Sequence, residues 1–67
     1  MKGSKRRKVM KFISGTNAQD GLTVVLNLDH VLGFQEEPKG TTVYLRDSKQ
    51  VKINETIDII ENLLSKI

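Results

Sequence analysis

The chain predicts a small α+β domain: an antiparallel β-meander of four or five short strands with one C-terminal amphipathic helix packed on one face. Three observations carry this expectation. Apolar and polar residues alternate from Leu22 to Leu28 and again from Thr41 to Ile53, the period of half-buried strands. Clusters of Gly, Pro, Asn, Asp and Ser interrupt those runs as turns do. After Asn54 the period changes, and apolar residues recur every three or four positions.

The elements follow in order. Met1–Lys8 holds Gly3, Ser4 and a run of four basic residues with nothing to bury, so residues 1–8 are expected to form a flexible basic arm. The folded domain is expected over residues 9–67, with Val9–Ile13 as a first β-favouring stretch. Ser14–Gly21 reads as a connecting turn ending in Asp20-Gly21, which supplies the positive φ that hairpins require. Leu22–Leu28 is the clearest strand, with Leu22, Val24, Leu26 and Leu28 on one face and Thr23, Val25 and Asn27 on the other.

Asn27 and Asp29 flank a change of direction into Val31–Phe34, where Gly33 predicts a bulge or a close backbone approach. Glu36–Gly40 reads as a turn built on Pro38 and Gly40, and Thr41–Arg46 as the fourth strand. Asp47-Ser48-Lys49 turns the chain into Gln50–Ile53. Asn54 is placed to cap the helix, with Glu55 and Asp58 near the positive end of its dipole and Lys66 in the last turn. Ile57, Ile60, Leu63, Leu64 and Ile67 define its apolar face, which Ile59 widens.

The expected core sets Leu22, Val24, Leu26, Val43, Leu45, Val51 and Ile53 against Ile57, Ile60 and Leu64. A chain of 67 residues is one marginal domain, burying only about 60% of the surface its unfolded state exposes. Disulfides, a metal or self-association usually compensate for so small a core. With no cysteine and a single histidine, His30, neither disulfide nor metal site is expected, which leaves oligomerisation. Val25, Leu32 and Tyr44 fall on the uncovered face; clustered, they would form a self-association or partner surface, and scattered they are ordinary exposed residues.

Charge divides the chain sharply. Lys2, Lys5, Arg6, Arg7, Lys8 and Lys11 place six of the eleven basic residues in the first eleven positions, with no acidic residue among them. The remainder has five basic against eight acidic side chains, a net −3. The overall +3 therefore describes an arm and a mildly acidic body rather than a basic domain. Lys5, Arg6, Arg7, Lys8 and Lys11 could neutralise about four or five phosphates and give salt-dependent nucleic-acid binding. An anionic lipid surface, an acidic protein or a plain solubilising role are the other readings of such a run. No aromatic residue is interleaved to stack on bases.

Little else carries chemistry, so no enzyme, cofactor or metal is expected. Ser14, Ser48 and Ser65 lie in turns or at the chain's end, and His30 reads as a surface turn residue. Glu36 and Glu37 are adjacent and point apart. The five glycines form no phosphate-binding spacing. No apolar run approaches the ~20 residues that cross a bilayer, and no secretory leader is evident, so a cytoplasmic protein without a transmembrane segment is expected.

From Leu26 onward the residue order resembles the small bacterial FlbD family, associated with flagellar genes. The matching positions are Leu26, Asn27, Asp29, Val31, Phe34, Glu36 and Pro38, then Thr42, Val43, Leu45 and Asp47, then Val51, Ile53, Glu55, Thr56, Ile59 and Ile60. The family's opening Thr-Arg-Leu strand and Asn-Gly turn are absent, Ser48 stands where a turn glycine is usual, and the basic arm is an addition. The same unit looks like the first half of LytTR-type DNA-binding domains; the second half has no counterpart here, so no DNA contact carries over. The resemblance implies a small non-enzymatic accessory protein of a bacterium or phage.

Two functional expectations result. In the first, the protein is an accessory or regulatory binding protein whose arm contacts nucleic acid and whose sheet mediates self-association or docking. In the second, it is a protein-interaction module of a flagellar or membrane machine, with the arm near anionic lipid.

Overall fold

The computed structural model describes residues 11–67. Lys2, Lys5, Arg6, Arg7 and Lys8, and the Val9-Met10 start expected for the first strand, lie outside those residues. Five strands and one helix follow: β1 (Phe12–Thr16), β2 (Thr23–Asn27), β3 (Val31–Glu37), β4 (Gly40–Leu45), β5 (Lys49–Ile53) and α1 (Ile57–Leu64). A 3-10 turn, Leu28–His30, links β2 to β3. The domain is thus α+β, with two small antiparallel sheets and a C-terminal helix.

The first sheet is the β1–β2 hairpin, in register from Phe12 opposite Asn27 to Thr16 opposite Thr23. The second has the order β3-β4-β5. They join at one corner, where Asn17 bridges Ile53, the Ala18 amide donates to the Lys52 carbonyl at 2.9 Å and the Asn54 amide to the Thr16 carbonyl at 2.9 Å. Ile13 and Leu26 from the first sheet, Val43 and Ile53 from the second and Ile60 from α1 form a single core cluster. Val24, Leu28, Val31, Phe34, Leu45, Val51, Leu63 and Leu64 pack around it, and the helix lies against β3.

Several boundaries differ from expectation. Ser14, Gly15 and Thr16 belong to β1 rather than to a turn. Gly15 is buried beneath Ile53 and Glu55, and a Cβ there would meet both at 3.2 Å, so a small residue serves close packing here. Leu22 is exposed instead of core: its carbonyl still closes the hairpin with the Asn17 amide at 2.8 Å, which holds it at the turn. Gly21, at φ 74°, and the Asp20 carboxylate, accepting from the Leu22 amide, shape that turn. Ile13, absent from the expected core, takes a central place in it.

Glu36 and Glu37 extend β3, and only Pro38 and Lys39 form the turn, because Glu37 pairs with Gly40 and its carboxylate accepts the Thr42 hydroxyl at 2.9 Å. Gly33 does sit in a bulge: the register slips between Val31 and Gly33, leaving Leu32 as the extra residue. Nothing approaches the Gly33 Cβ position, so close packing is not its purpose.

The helix starts later than expected. Asn54 spends its amide on Thr16, and Thr56 occupies the cap position without a side-chain bond. Asp58 lies in the first turn as expected, whereas Lys66 lies beyond the helix and no basic residue occupies its last turn. Ile59 and Ile67 are exposed. Among the described residues no helix is long and apolar enough to cross a membrane.

Candidate interaction surfaces

Where Lys11 begins the described chain, its carbonyl accepts the Leu28 amide at 3.0 Å, which fixes the start of β1 against the 3-10 turn. Asn27 forms that turn by accepting the Asp29 amide at 2.9 Å, a local bond that asparagine makes readily. Two residues past Leu28, the His30 carbonyl accepts the Arg46 amide at 3.0 Å. His30, Arg46, Asp47 and Lys49 then line an open surface depression with Leu45. Lys11 is thus one backbone bond from the turn that carries His30, and Arg46 is one further bond away, with Lys49 closing the same hairpin. All four side chains are exposed.

The three apolar candidates divide between the sheets. Val25 is 59% exposed on the outer face of β2, opposite Ser14 and diagonal to the equally outward Phe12. Leu32, 71% exposed in the bulge, shares with Gly33 the position facing Tyr44. Tyr44 is partly covered and donates its hydroxyl to Gln35 Oε1 at 2.7 Å, so its polar tip is already satisfied within the sheet.

No family model, no curated protein and no solved structure matches the chain. Its chemistry is therefore read from its own geometry.

Glu55 is the residue whose position composition does not reveal. Instead of sitting over the helix dipole, its carboxylate accepts the Thr16 amide at 2.7 Å and the Thr16 hydroxyl at 2.9 Å. The Glu55 carbonyl in turn accepts the Thr41 hydroxyl at 2.7 Å, which explains a fully buried threonine. Burial pushes the Glu55 carboxyl upward, but the Thr16 amide, the Thr16 hydroxyl and its own amide outweigh that and hold it below the usual value. The arrangement is a structural clamp between β1 and the start of α1. A Glu-Thr pair just ahead of an amphipathic run was its only sequence signal.

Two further depressions flank the hairpin tip, one lined by Asn17, Gln19, Gln50 and Lys52, the other by Glu37, Pro38, Lys39 and Lys52. Both are open; Thr41, which also lines the second, has its hydroxyl bonded to the Glu55 carbonyl. Among the described residues no cluster of three or more His, Asp or Glu side chains is placed to hold a metal.

Proposed function

We propose that this chain is a small non-enzymatic accessory or regulatory binding protein, whose basic arm contacts nucleic acid while the sheet domain mediates self-association or docking. The supporting observation is a pair of charge features: Lys5, Arg6, Arg7 and Lys8 precede Lys11 in the sequence, and Lys11 is tied through the Leu28–His30 turn to a depression where Arg46 and Lys49 stand beside Asp47. A phosphate backbone following the arm would meet further cations on the folded surface, whereas the body as a whole is acidic. The FlbD-like residue order agrees with an accessory role in a bacterium or phage.

Mobility-shift titration of the full chain and of a chain lacking residues 1–8, at two salt concentrations, tests this reading. The full chain should bind with a log affinity falling against log salt at a slope of about −4 on duplex DNA. The shortened chain should bind far more weakly and with a flatter slope. Equal, negligible binding by both sinks the reading. Binding to acidic vesicles without binding to DNA or RNA replaces it with the membrane role.

A further inference from the structure

We infer that the open edge of β2 is the seam of a homodimer, in which β2 of one copy pairs antiparallel with β2 of a second. This deepens the self-association part of the function proposed above and rests on it.

The inference starts from which peptide groups β1 leaves unused. The Leu28 amide donates to Lys11 and the Asn17 amide to Leu22, both pairs lying in the β1–β2 register. In an antiparallel ladder bonded pairs alternate, so Leu22, Val24, Leu26 and Leu28 face β1. The amides and carbonyls of Thr23, Val25 and Asn27 therefore point to the opposite edge. Among the described residues no strand pairs with that edge.

Those three residues are self-complementary about Val25. With Val25 opposite its copy, each Val25 amide meets the other's carbonyl, and Thr23 exchanges bonds with Asn27 of the second molecule on both sides. Asn27 Oδ1 is engaged by Asp29, which leaves its NH₂ group to donate to the facing Thr23 hydroxyl. Val25 would bury its exposed side chain against the equivalent valine.

Charge also favours a second copy. From Leu22 to Leu28 the strand has no charged residue, no proline and no glycine, so nothing repels an identical edge. Of the other edges, β3 carries the bulge at Leu32 together with Glu36 and Glu37, β5 carries Lys49 and Lys52, and β1 is engaged at its Thr16 end by Asn54, beside the Asn17–Ile53 bridge. The two β1 starts, which the basic segments precede in sequence, are separated as well. Pairing through β2 sets the two β1 starts at diagonal corners of a four-stranded sheet, about 14 Å apart across the strands and about 14 Å along them, so roughly 20 Å in all. That exceeds a Debye length of about 8 Å at physiological salt.

Sedimentation equilibrium and amide hydrogen exchange of the full chain over a concentration series test the seam. The wild-type chain should shift from monomer to dimer with concentration, and the Thr23, Val25 and Asn27 amides should become protected over the same range. Val25→Lys places two like charges face to face, and Val25→Pro removes the outward amide while sparing every bond to β1. Both variants should remain monomeric. Should the proline variant fail to fold, the lysine variant carries the test. Leu32→Lys on the β3 edge should dimerise like wild type, as should the chain lacking residues 1–8.

A wild-type chain that stays monomeric at its highest soluble concentration overturns the inference. So does a dimer that survives Val25→Lys, a dimer lost on deleting residues 1–8, or protection of these amides that is independent of concentration. None of these measurements involves nucleic acid, so they fail or succeed separately from the arm's role.

Discussion

At the corner where β1 meets β5, polar groups of the main chain and side chains answer one another: Glu55 holds Thr16 twice, Thr41 holds Glu55, and Gly40 lies against the Ile53 carbonyl. At the start of β1 and the β4–β5 turn, Lys11, His30, Arg46 and Lys49 are exposed, and the Asp47-Ser48 turn takes two left-handed residues without a glycine. The corner uses its polar atoms to hold two sheets and a helix together. The second region keeps its charges available and tolerates strain. The difference teaches that in a domain this small, the polar groups that hold the fold and the charges left in solvent occupy separate regions.

The sharpest way to break the corner is Gly40→Ala. Gly40 has φ 115°, and its Cβ would press on the Ile53 carbonyl, a backbone atom that cannot swing aside. Conformational strain and overpacking together should cost about 3 kcal/mol or more. The melting temperature should then fall by more than about 10 °C. A melt within a degree or two of wild type would show that the corner yields.

Glu55→Ala should cost about 2 kcal/mol, since it leaves the Thr16 amide without its partner. The same clamp has a pH signature. Because the folded carboxyl titrates below its ordinary value of 4.5, its stabilisation is present above that value and is lost as pH falls through the lowered folded value. Wild type and Glu55→Ala should therefore differ most near neutrality and converge in acid. A constant difference across that range would mean that packing, not the carboxylate, holds the corner.

The smallest effect has the opposite sign and lies in the β4–β5 turn. Ser48 sits at φ 60° and Asp47 at φ 66°, a pair of positive angles that Asp-Gly accommodates far better than Asp-Ser. Ser48→Gly should raise stability by about 1 kcal/mol. Thermal denaturation should register this as a gain of several degrees, and a loss instead would contradict the strain assigned to this turn.

Much of the architecture was legible before any coordinates. Strict alternation through Val43, Leu45, Val51 and Ile53 placed the second sheet, and the three-four spacing through Ile60, Leu63 and Leu64 placed the helix. What escaped has a common cause, since local composition does not report long-range partners. Ser14-Gly15-Thr16 looks like a loop, yet Gly15 is small because Ile53 lies over it. Asn54 looks like a cap, yet its backbone joins the β1 corner through Thr16 and the helix begins later, after Thr56. Glu55 looks like a dipole charge, yet its partner is 39 residues away in sequence. Of the candidate surface, Val25, Leu32 and Tyr44 were readable as outward positions, whereas their division between two sheets required the register. The tie from Lys11 through the Leu28–His30 turn to Arg46 had no local signature, whereas Arg46 and Lys49 flank a turn that was readable.

The Thr16–Glu55 clamp also bears on how the chain assembles. Joining two points 39 residues apart in an open chain costs about 3 kcal/mol of closure entropy. The three hairpins each close over only a few residues and are far cheaper to begin. On that ground the hairpins should form first and the clamp last, and Glu55→Ala should chiefly speed unfolding and leave the refolding rate near wild type in stopped-flow measurements; slowed refolding instead would place the clamp early.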